Sequence, residues 1–169
     1  MPDTYSWVAN TTSESAAQAV RGAWVARLGF VFFGTAVVWL AALKYREWGF
    51  AGALLHGGFG VLMLSAAIFS HKPFERGVPF DAFEDMLHSI AATGIGFAFA
   101  FGVVAVGLRR GLRLLDVLAL IASVAVPLAM VTLADYAGVL QRTMFLIAFA
   151  YYGMESRRTN AEPDQAGAA

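Results

Sequence analysis

The sequence contains no cysteine and few charged residues. Without cysteine the chain forms no disulfide and offers no thiol as a nucleophile or metal ligand, although this absence says nothing about its compartment. Asp, Glu, Lys and Arg together make up 14% of the chain, against about 25% in ordinary soluble domains. Because the formal net charge is zero and no cluster of basic residues dominates, we expect no nucleic-acid partner.

The few charges are clustered, and they leave long apolar runs between them. Hydrophobic residues reach 59% of the chain, and four stretches of 16 to 24 residues contain no Asp, Glu, Lys or Arg. A hydrocarbon core about 30 Å thick needs about 20 helical residues, so these stretches have the length of membrane spans. A fifth run, 137–154, is apolar apart from Gln141 and Arg142. The sequence therefore predicts an all-α integral membrane protein with five spans, at about 25–43, 48–69, 87–108, 115–134 and 137–154.

These spans divide the chain into three predicted parts. Residues 1–23 form an extracytoplasmic N-terminal segment, which has no apolar core of the kind found in signal peptides. Residues 24–156 form the membrane helical domain. Residues 157–169 are small and polar and indicate a disordered cytoplasmic tail.

The basic residues predict the orientation. Basic residues in short loops favour the cytoplasmic side. One side of the predicted topology collects seven basic residues and the other collects five, and the arginines of the first side lie close to span ends. We therefore expect a cytoplasmic C-terminus and an external N-terminus. The seven are Lys44, Arg46, Arg109, Arg110, Arg113, Arg157 and Arg158.

Several short motifs, in a fixed order, point to a known family. They are Tyr5-Ser-Trp-Val-Ala-Asn-Thr-Thr-Ser-Glu14, Ala23-Trp24, Gly29 to Gly34, Gly58-Phe-Gly60, Phe69-Ser-His-Lys-Pro73, Leu87-His88 and Gln141-Arg142. With these motifs the chain resembles, over about residues 5–154, a bacterial and archaeal membrane family catalogued as domain of unknown function 998. The resemblance implies a location in the cytoplasmic membrane and usually six spans. It therefore implies that this chain lacks the first span, either through a downstream start site or as a five-span variant. It implies no chemistry, because the family's activity is not established.

Acidic residues and a histidine gather before the third span. Asp81, Glu84, Asp85 and His88 are spaced by three and four residues and share one helical face. Such a set can bind a divalent metal or act as a general acid and base. Alternatively, the carboxylates mark a solvated helix N-terminus, where negative charge suits the helix dipole. Since one helix supplies too few ligands for a metal site, we favour the second interpretation and assign no metal.

Arg142 is the most unusual residue of the last apolar run. A buried guanidinium needs a carboxylate or several carbonyl groups, and Glu14, Glu84 and Asp85 are the expected partners. An ion pair that locks the bundle, or an arginine that reaches toward the lipid headgroups, would explain it structurally. A receptor for an anionic group such as a lipid phosphate is the functional alternative.

Two smaller predictions concern His56 and the N-terminal segment. His56 lies beside Gly57 and Gly58, which favours a hydrogen bond to a closely packed neighbouring helix. His56 and His88 would lie at different depths, so haem between them is excluded, and we assign no cofactor. Ser13 or Ser15 is a candidate N-cap for a short helix over 16–19.

Together these residues favour a binding protein over an enzyme. We predict an outer-leaflet polar pocket that binds or passes a small or lipid-like molecule, formed by Ser13, Glu14, Glu84, Asp85, His88, Gln141 and Arg142. An outer-facing hydrolase that uses His88 with a neighbouring carboxylate is one alternative, and a structural assembly partner is another. No residue is assigned as catalytic. The bilayer is the expected partner, and the oligomeric state stays open.

Overall fold

The computed structural model describes residues 4–158. Six α-helices and one 3₁₀ turn account for most of this part of the chain, which contains no strand. They are α1 (Thr12–Ser15), α2 (Ala23–Leu43), α3 (Tyr45–Ile68), α4 (Ala82–Arg110), α5 (Leu114–Thr132), the 3₁₀ turn (Ala134–Tyr136) and α6 (Ala137–Arg157).

The protein is an all-α, multi-pass integral membrane protein, as the apolar runs predict. Helices α2, α3, α4 and α5 are long and apolar enough to cross a bilayer. Helix α6 has the length, with 21 residues, but Gln141, Arg142 and two tyrosines make it less apolar. Its crossing of the membrane stays a prediction.

The antiparallel helices give the bundle two ends. The strap end contains the segment 4–22, which we call the strap, together with the connection 69–81 and the turn at 133–136. The arginine end contains Lys44, the connection 111–113 and Arg158. Helix α3 packs between α2 and α4, and α5 packs against both α4 and α6.

Helices α2 and α3 cross at two glycines. A Cβ atom on Gly34 would lie 2.7 Å from the backbone oxygen of Gly60, and one on Gly60 would lie 2.6 Å from that of Gly34. Any side chain at either position would therefore push the helices apart. The close approach buries Val37, Phe59 and Met63 in the common core.

Helix α6 meets α2 through aromatic rings. Phe30 stacks on Phe145 with 6.1 Å between ring centroids, and Phe33 meets the edge of Phe149 at 4.5 Å. These contacts close the bundle between its first and last long helices.

The sequence predicted a short helix near the N-terminus and a disordered C-terminal tail. The predicted helix over 16–19 with Ser13 or Ser15 as its cap is wrong, because the short helix begins at Thr12 with Thr11 as its N-cap. The reason is a capping box in which the amide of Thr11 donates to the Glu14 carboxylate at 2.6 Å. Of the predicted disordered tail, residues 159–169 lie outside the described residues.

Candidate functional site

Arg142 is held by the strap. Its Nη1 donates to the backbone oxygens of Trp7, at 2.8 Å, and Asn10, at 2.9 Å, and its Nη2 donates to the Tyr5 hydroxyl at 2.6 Å. Two carbonyl oxygens and a phenol thus satisfy the guanidinium. The expected pairing with Glu14, Glu84 or Asp85 is wrong, since no ion pair in residues 4–158 includes Arg142.

The strap also caps the start of α6. The amide of Gly138 donates to the Ala9 oxygen and that of Val139 to the Val8 oxygen, both at 3.1 Å. The first amides of a helix have no partner within the helix, and here backbone carbonyls of a distant segment supply one. Gly138 permits this approach because a Cβ there would overlap carbonyl oxygens of the strap, at 2.6 Å for that of Trp7.

Two glutamines fasten the strap to the rest of the strap end. The Gln141 side chain accepts a hydrogen bond from the amide of Thr12 at 2.6 Å. The Gln18 side chain donates to the oxygens of Ser70 and Asp81 and accepts from the Asp81 amide at 2.7 Å. Gln18, which is half-buried, is not among the predicted site residues, because a glutamine in a polar segment carries no sequence signal of a distant partner.

The carboxylates before α4 bind backbone amides of the connection 69–81. Glu84 accepts from the Ser70 amide at 2.7 Å, and Asp85 accepts from the Lys72 amide at 2.8 Å. Asp81 is the N-cap of α4 and accepts from the amides of Phe83 and Glu84. The interpretation of these acidic residues as a helix N-terminus is therefore confirmed, but the expected solvation is wrong for Glu84 and Asp85, which are half-buried and bound to these amides.

His88 is buried, with 2% exposure, but it has no carboxylate partner. Its Nδ1 lies 2.8 Å from the Phe69 backbone oxygen. Asp85 instead contacts His71, at 2.6 Å between Nδ1 and Oδ1, and the two imidazole rings lie 5.4 Å apart. The predicted pairing of His88 with a neighbouring carboxylate is thus wrong, and His71 occupies that place. No group of three or more His, Asp or Glu side chains in residues 4–158 is arranged to hold a metal ion.

Glu14 and Ser13 complete the predicted set. Glu14 is half-buried, and its carboxylate accepts from the Thr11 amide and hydroxyl. Ser13 lies in the same short helix and is also half-buried. The seven predicted residues therefore lie at one end of the bundle, and those with described contacts are bonded mainly to the backbone.

A second polar cluster, which the sequence did not indicate, lies at the arginine end. Arg110 donates to both carboxylate oxygens of Asp116, at 2.7 and 2.9 Å, and to Glu155 at 3.0 Å. Glu155 also accepts from the indole of Trp48, at 3.0 Å, and pairs with Arg158. Asp116 and Glu155 are 1% and 3% exposed, so α3, α4, α5 and α6 are joined by buried charges.

His56 lies beside this cluster, with 4.7 Å between its ring centroid and that of Trp48. Its Nδ1 lies 2.9 Å from the hydroxyl of Tyr152, and its ring fits against Gly102, where a Cβ would lie 2.7 Å from the imidazole. The predicted hydrogen bond from His56 to a neighbouring helix is therefore confirmed, but Gly57 and Gly58 make no close approach, and the glycine that accommodates the ring is Gly102 of α4.

A lateral groove of about 1300 Å³ separates α2 from α6 at the arginine end. Its walls are mostly apolar and include the exposed side chains of Phe32, Trp39 and Leu43. It ends toward the middle of the bundle where Phe30 stacks on Phe145. Its open end has a polar rim, formed by Lys44, Glu47, Ser156 and Arg158.

The charges of this rim are paired with one another. Lys44, only 7% exposed, donates to both Glu47 oxygens at 2.9 and 3.0 Å and to the backbone oxygen of Arg158. Arg158 in turn pairs with Glu155. The groove thus offers an apolar channel with an electrically balanced polar mouth.

Comparison with known proteins identifies a family but no activity. The sequence model of the family described as "Protein of unknown function (DUF998)" matches residues 1–156. Neither a curated protein nor a solved structure matches the chain.

Proposed function

We propose that this chain, which belongs to the family described as Protein of unknown function (DUF998), binds one lipid-like molecule, without changing it, in the groove between α2 and α6. Family membership brings no activity, so this proposal is made from the structure. The observation that supports this proposal most directly is the length of the groove. On α2 it runs from Val31 to Leu43, about 18 Å at 1.5 Å per residue. That is close to one leaflet, half of a hydrocarbon core about 30 Å thick.

This length favours a lipid chain over a transmembrane helix of a partner protein. A partner helix would need a face along the whole bundle, but Phe30 and Phe145 close the gap between α2 and α6 above the groove. An amphiphile needs an apolar channel that ends at a polar mouth, and the rim of Lys44, Glu47 and Ser156 supplies one.

The strap end is the less favoured location for this function. Ligand binding by Ser13, Glu14, Glu84, Asp85, His88, Gln141 and Arg142 stays a prediction. The contacts of Arg142, Gln141, Glu84 and Asp85 support a positional role, because these side chains hold the strap and the connection 69–81 against the helix ends. The strap backbone occupies the place beside Arg142 that an anion would take.

A hydrolase at the strap end is the second candidate, and only the contact between Asp85 and His71 favours it. A carboxylate at Nδ1 can orient an imidazole as a general base. Here Asp85 contacts His71 Nδ1 without the geometry of a hydrogen bond, and His71 is one-quarter exposed. Turnover of a fluorogenic lipid ester that His71→Gln abolishes and Lys72→Gln retains would support this activity. The third alternative, a structural assembly partner, stays a prediction.

We infer the membrane placement from the charges. The arginine end would face the cytoplasm of a bacterial or archaeal cell, and α6 would be the fifth span. Four exposed arginines, Arg46, Arg109, Arg113 and Arg157, lie at this end, against Arg21 and Arg76 at the strap end. This excess agrees with the preference of basic residues for the cytoplasmic side.

Retention of lipid by two glycine variants tests the proposed function. Gly153 lines the groove, and a Cβ there would meet no atom within 4 Å. We therefore expect the side chain of Gly153→Leu to extend into the groove and occupy it. Gly29 on α2 is equally free of neighbours and lies outside the groove lining, so Gly29→Leu is the matched control.

Native mass spectrometry of protein purified in mild detergent gives the readout. We expect one retained lipid on the wild type and on Gly29→Leu. For Gly153→Leu we expect affinity to fall at least about tenfold, which corresponds to about 1.4 kcal/mol. Equal retention by Gly153→Leu and Gly29→Leu would contradict the proposal.

A further inference from the structure

We infer that the lipid in the groove has an uncharged headgroup that donates hydrogen bonds through hydroxyl groups, as in a diacylglycerol. This inference rests on the proposed function and specifies the chemical class of its ligand. It follows from which hydrogen-bonding groups at the mouth of the groove are already engaged.

Of the two cations that line the groove, Lys44 has no donor left for a phosphate. An ammonium group has three N–H donors, and Lys44 has three acceptors around Nζ, two from Glu47 and one from the Arg158 backbone. A phosphate could bind Lys44 only by displacing Glu47. The displaced carboxylate would then lose its partner in a poorly hydrated place, which is costly.

The mouth and the cluster behind it have no net charge. Lys44 pairs with Glu47, Arg158 with Glu155, and Arg110 with Asp116 and Glu155, so three cations balance three carboxylates. An anionic lipid would add a negative charge to a balanced site. Complementary charge favours a charged partner, and these paired groups carry no excess charge. The exposed arginines of this end, Arg46, Arg109, Arg113 and Arg157, are not among the residues that line the groove.

The rim groups that can still form hydrogen bonds are mainly acceptors. A carboxylate has about four lone-pair positions, and the described bonds to Glu47 use one on each oxygen. The Ser156 hydroxyl donates its hydrogen to the Gly153 oxygen at 2.9 Å, which leaves its oxygen as an acceptor. Hydroxyl groups of a ligand match these acceptors, whereas a phosphate oxygen does not. The charge of Arg158 is neutralised by Glu155, and the N–H donors that this pairing leaves suit neutral acceptors such as ester carbonyls.

Competition for a photoreactive diacylglycerol tests this headgroup. The probe bears a diazirine in its acyl chain and is incorporated with the purified full-length protein into nanodiscs. Unlabelled diacylglycerol and phosphatidylglycerol with the same acyl chains then compete for labelling. We expect diacylglycerol to compete about tenfold better, a difference of about 1.4 kcal/mol. Better competition by phosphatidylglycerol, or equal competition, would overturn the inference.

A charge variant gives an independent readout. Glu47→Gln removes the carboxylate that neutralises Lys44, so phosphatidylglycerol should gain about tenfold relative to diacylglycerol in that variant. Glu75→Gln, an exposed carboxylate at the strap end, is the control and should leave the ratio unchanged. An unchanged ratio in Glu47→Gln would count against the assigned role of Glu47, and the wild-type competition remains decisive if this variant does not fold.

The Gly153→Leu variant separates the two proposals. Labelling that persists in Gly153→Leu would show that the probe does not enter the groove, and the proposed function itself would fail. Labelling that Gly153→Leu abolishes, combined with a preference for phosphatidylglycerol, would leave the groove function intact and overturn only the uncharged headgroup.

Discussion

The charged side chain of Arg142, which is unfavourable near a membrane, forms hydrogen bonds mainly to backbone carbonyl groups. A guanidinium near the membrane is unfavourable unless it is paired or hydrated, and here the carbonyls of Trp7 and Asn10 and the hydroxyl of Tyr5 surround it. The sequence identified Arg142 as needing a partner. It could not identify that partner, because carbonyl groups occur at every residue and have no sequence signature.

Replacement of Arg142 by lysine tests this arrangement. Lysine keeps the charge but lacks the planar fork that reaches three acceptors at once. We expect Arg142→Lys to lower the free energy of unfolding by about 1–3 kcal/mol, the range for hydrogen bonds to charged groups. Thermal unfolding in detergent measures the loss, and hydrogen exchange should rise over residues 5–12. Arg21→Lys, at an exposed position, is the control. An Arg142→Lys protein as stable as this control would contradict the role we assign.

The buried cluster at the arginine end permits a second test at the scale of one residue. Asp116→Asn removes the bidentate partner of Arg110 and leaves Glu155 to neutralise it. Loss of one partner from a buried ion pair costs about 3–5 kcal/mol. We expect a value at the lower end, since Glu155 remains. The exposed carboxylate of Asp135 gives the control Asp135→Asn. Equal unfolding midpoints for the two variants would refute the assigned role of Asp116.

At the scale of helices, the crossing of α2 and α3 depends on two glycines. Gly34→Leu must separate the helices, because even its Cβ would lie 2.7 Å from the Gly60 backbone oxygen. Overpacking typically costs about 1–3 kcal/mol. Gly29→Leu, one turn earlier on the same helix, meets no neighbour and should unfold like the wild type. The same thermal assay compares them, and similar midpoints would contradict the crossing.

Much of the helical architecture was predictable, and the contacts between its parts were not. Long charge-free runs indicated an all-α membrane bundle, and Asp81 followed by Glu84 indicated the start of α4, because local composition determines both. Hydrogen bonds between side chains that are far apart in sequence depend on which segments the fold brings together. The hydrogen bond that Arg110 donates to Glu155, 45 residues later in the chain, has no local sequence pattern.

At the scale of the whole molecule, the distribution of buried charge differs from the expectation. We expected the ionisable groups at membrane depth to gather near Arg142 and His88. The most buried carboxylates, Asp116 and Glu155, lie instead at the opposite end. The arginine partners of these carboxylates, Arg110 and Arg158, enter the sequence analysis only as evidence for the membrane orientation. One arginine can therefore both favour a membrane orientation and form an ion pair within the bundle.

Orientation itself can be tested cleanly, since the natural sequence has no cysteine. Arg76→Cys places a thiol at the strap end and Arg113→Cys places one at the arginine end, both at exposed positions. We expect a membrane-impermeant maleimide to label Arg76→Cys in intact cells and Arg113→Cys only after permeabilisation. The cysteine-free parent measures background labelling, and the reverse pattern would invert the proposed topology.

The bonds between the strap and α6 set an order of events during synthesis. Residues 7–12 are synthesised long before the groups that they bind, from Gly138 to Arg142. The carbonyls of Trp7 and Asn10 can make these bonds only after α6 has been made. Attachment of the strap is therefore a late step of folding, and a chain stalled before residue 138 would leave the strap unattached.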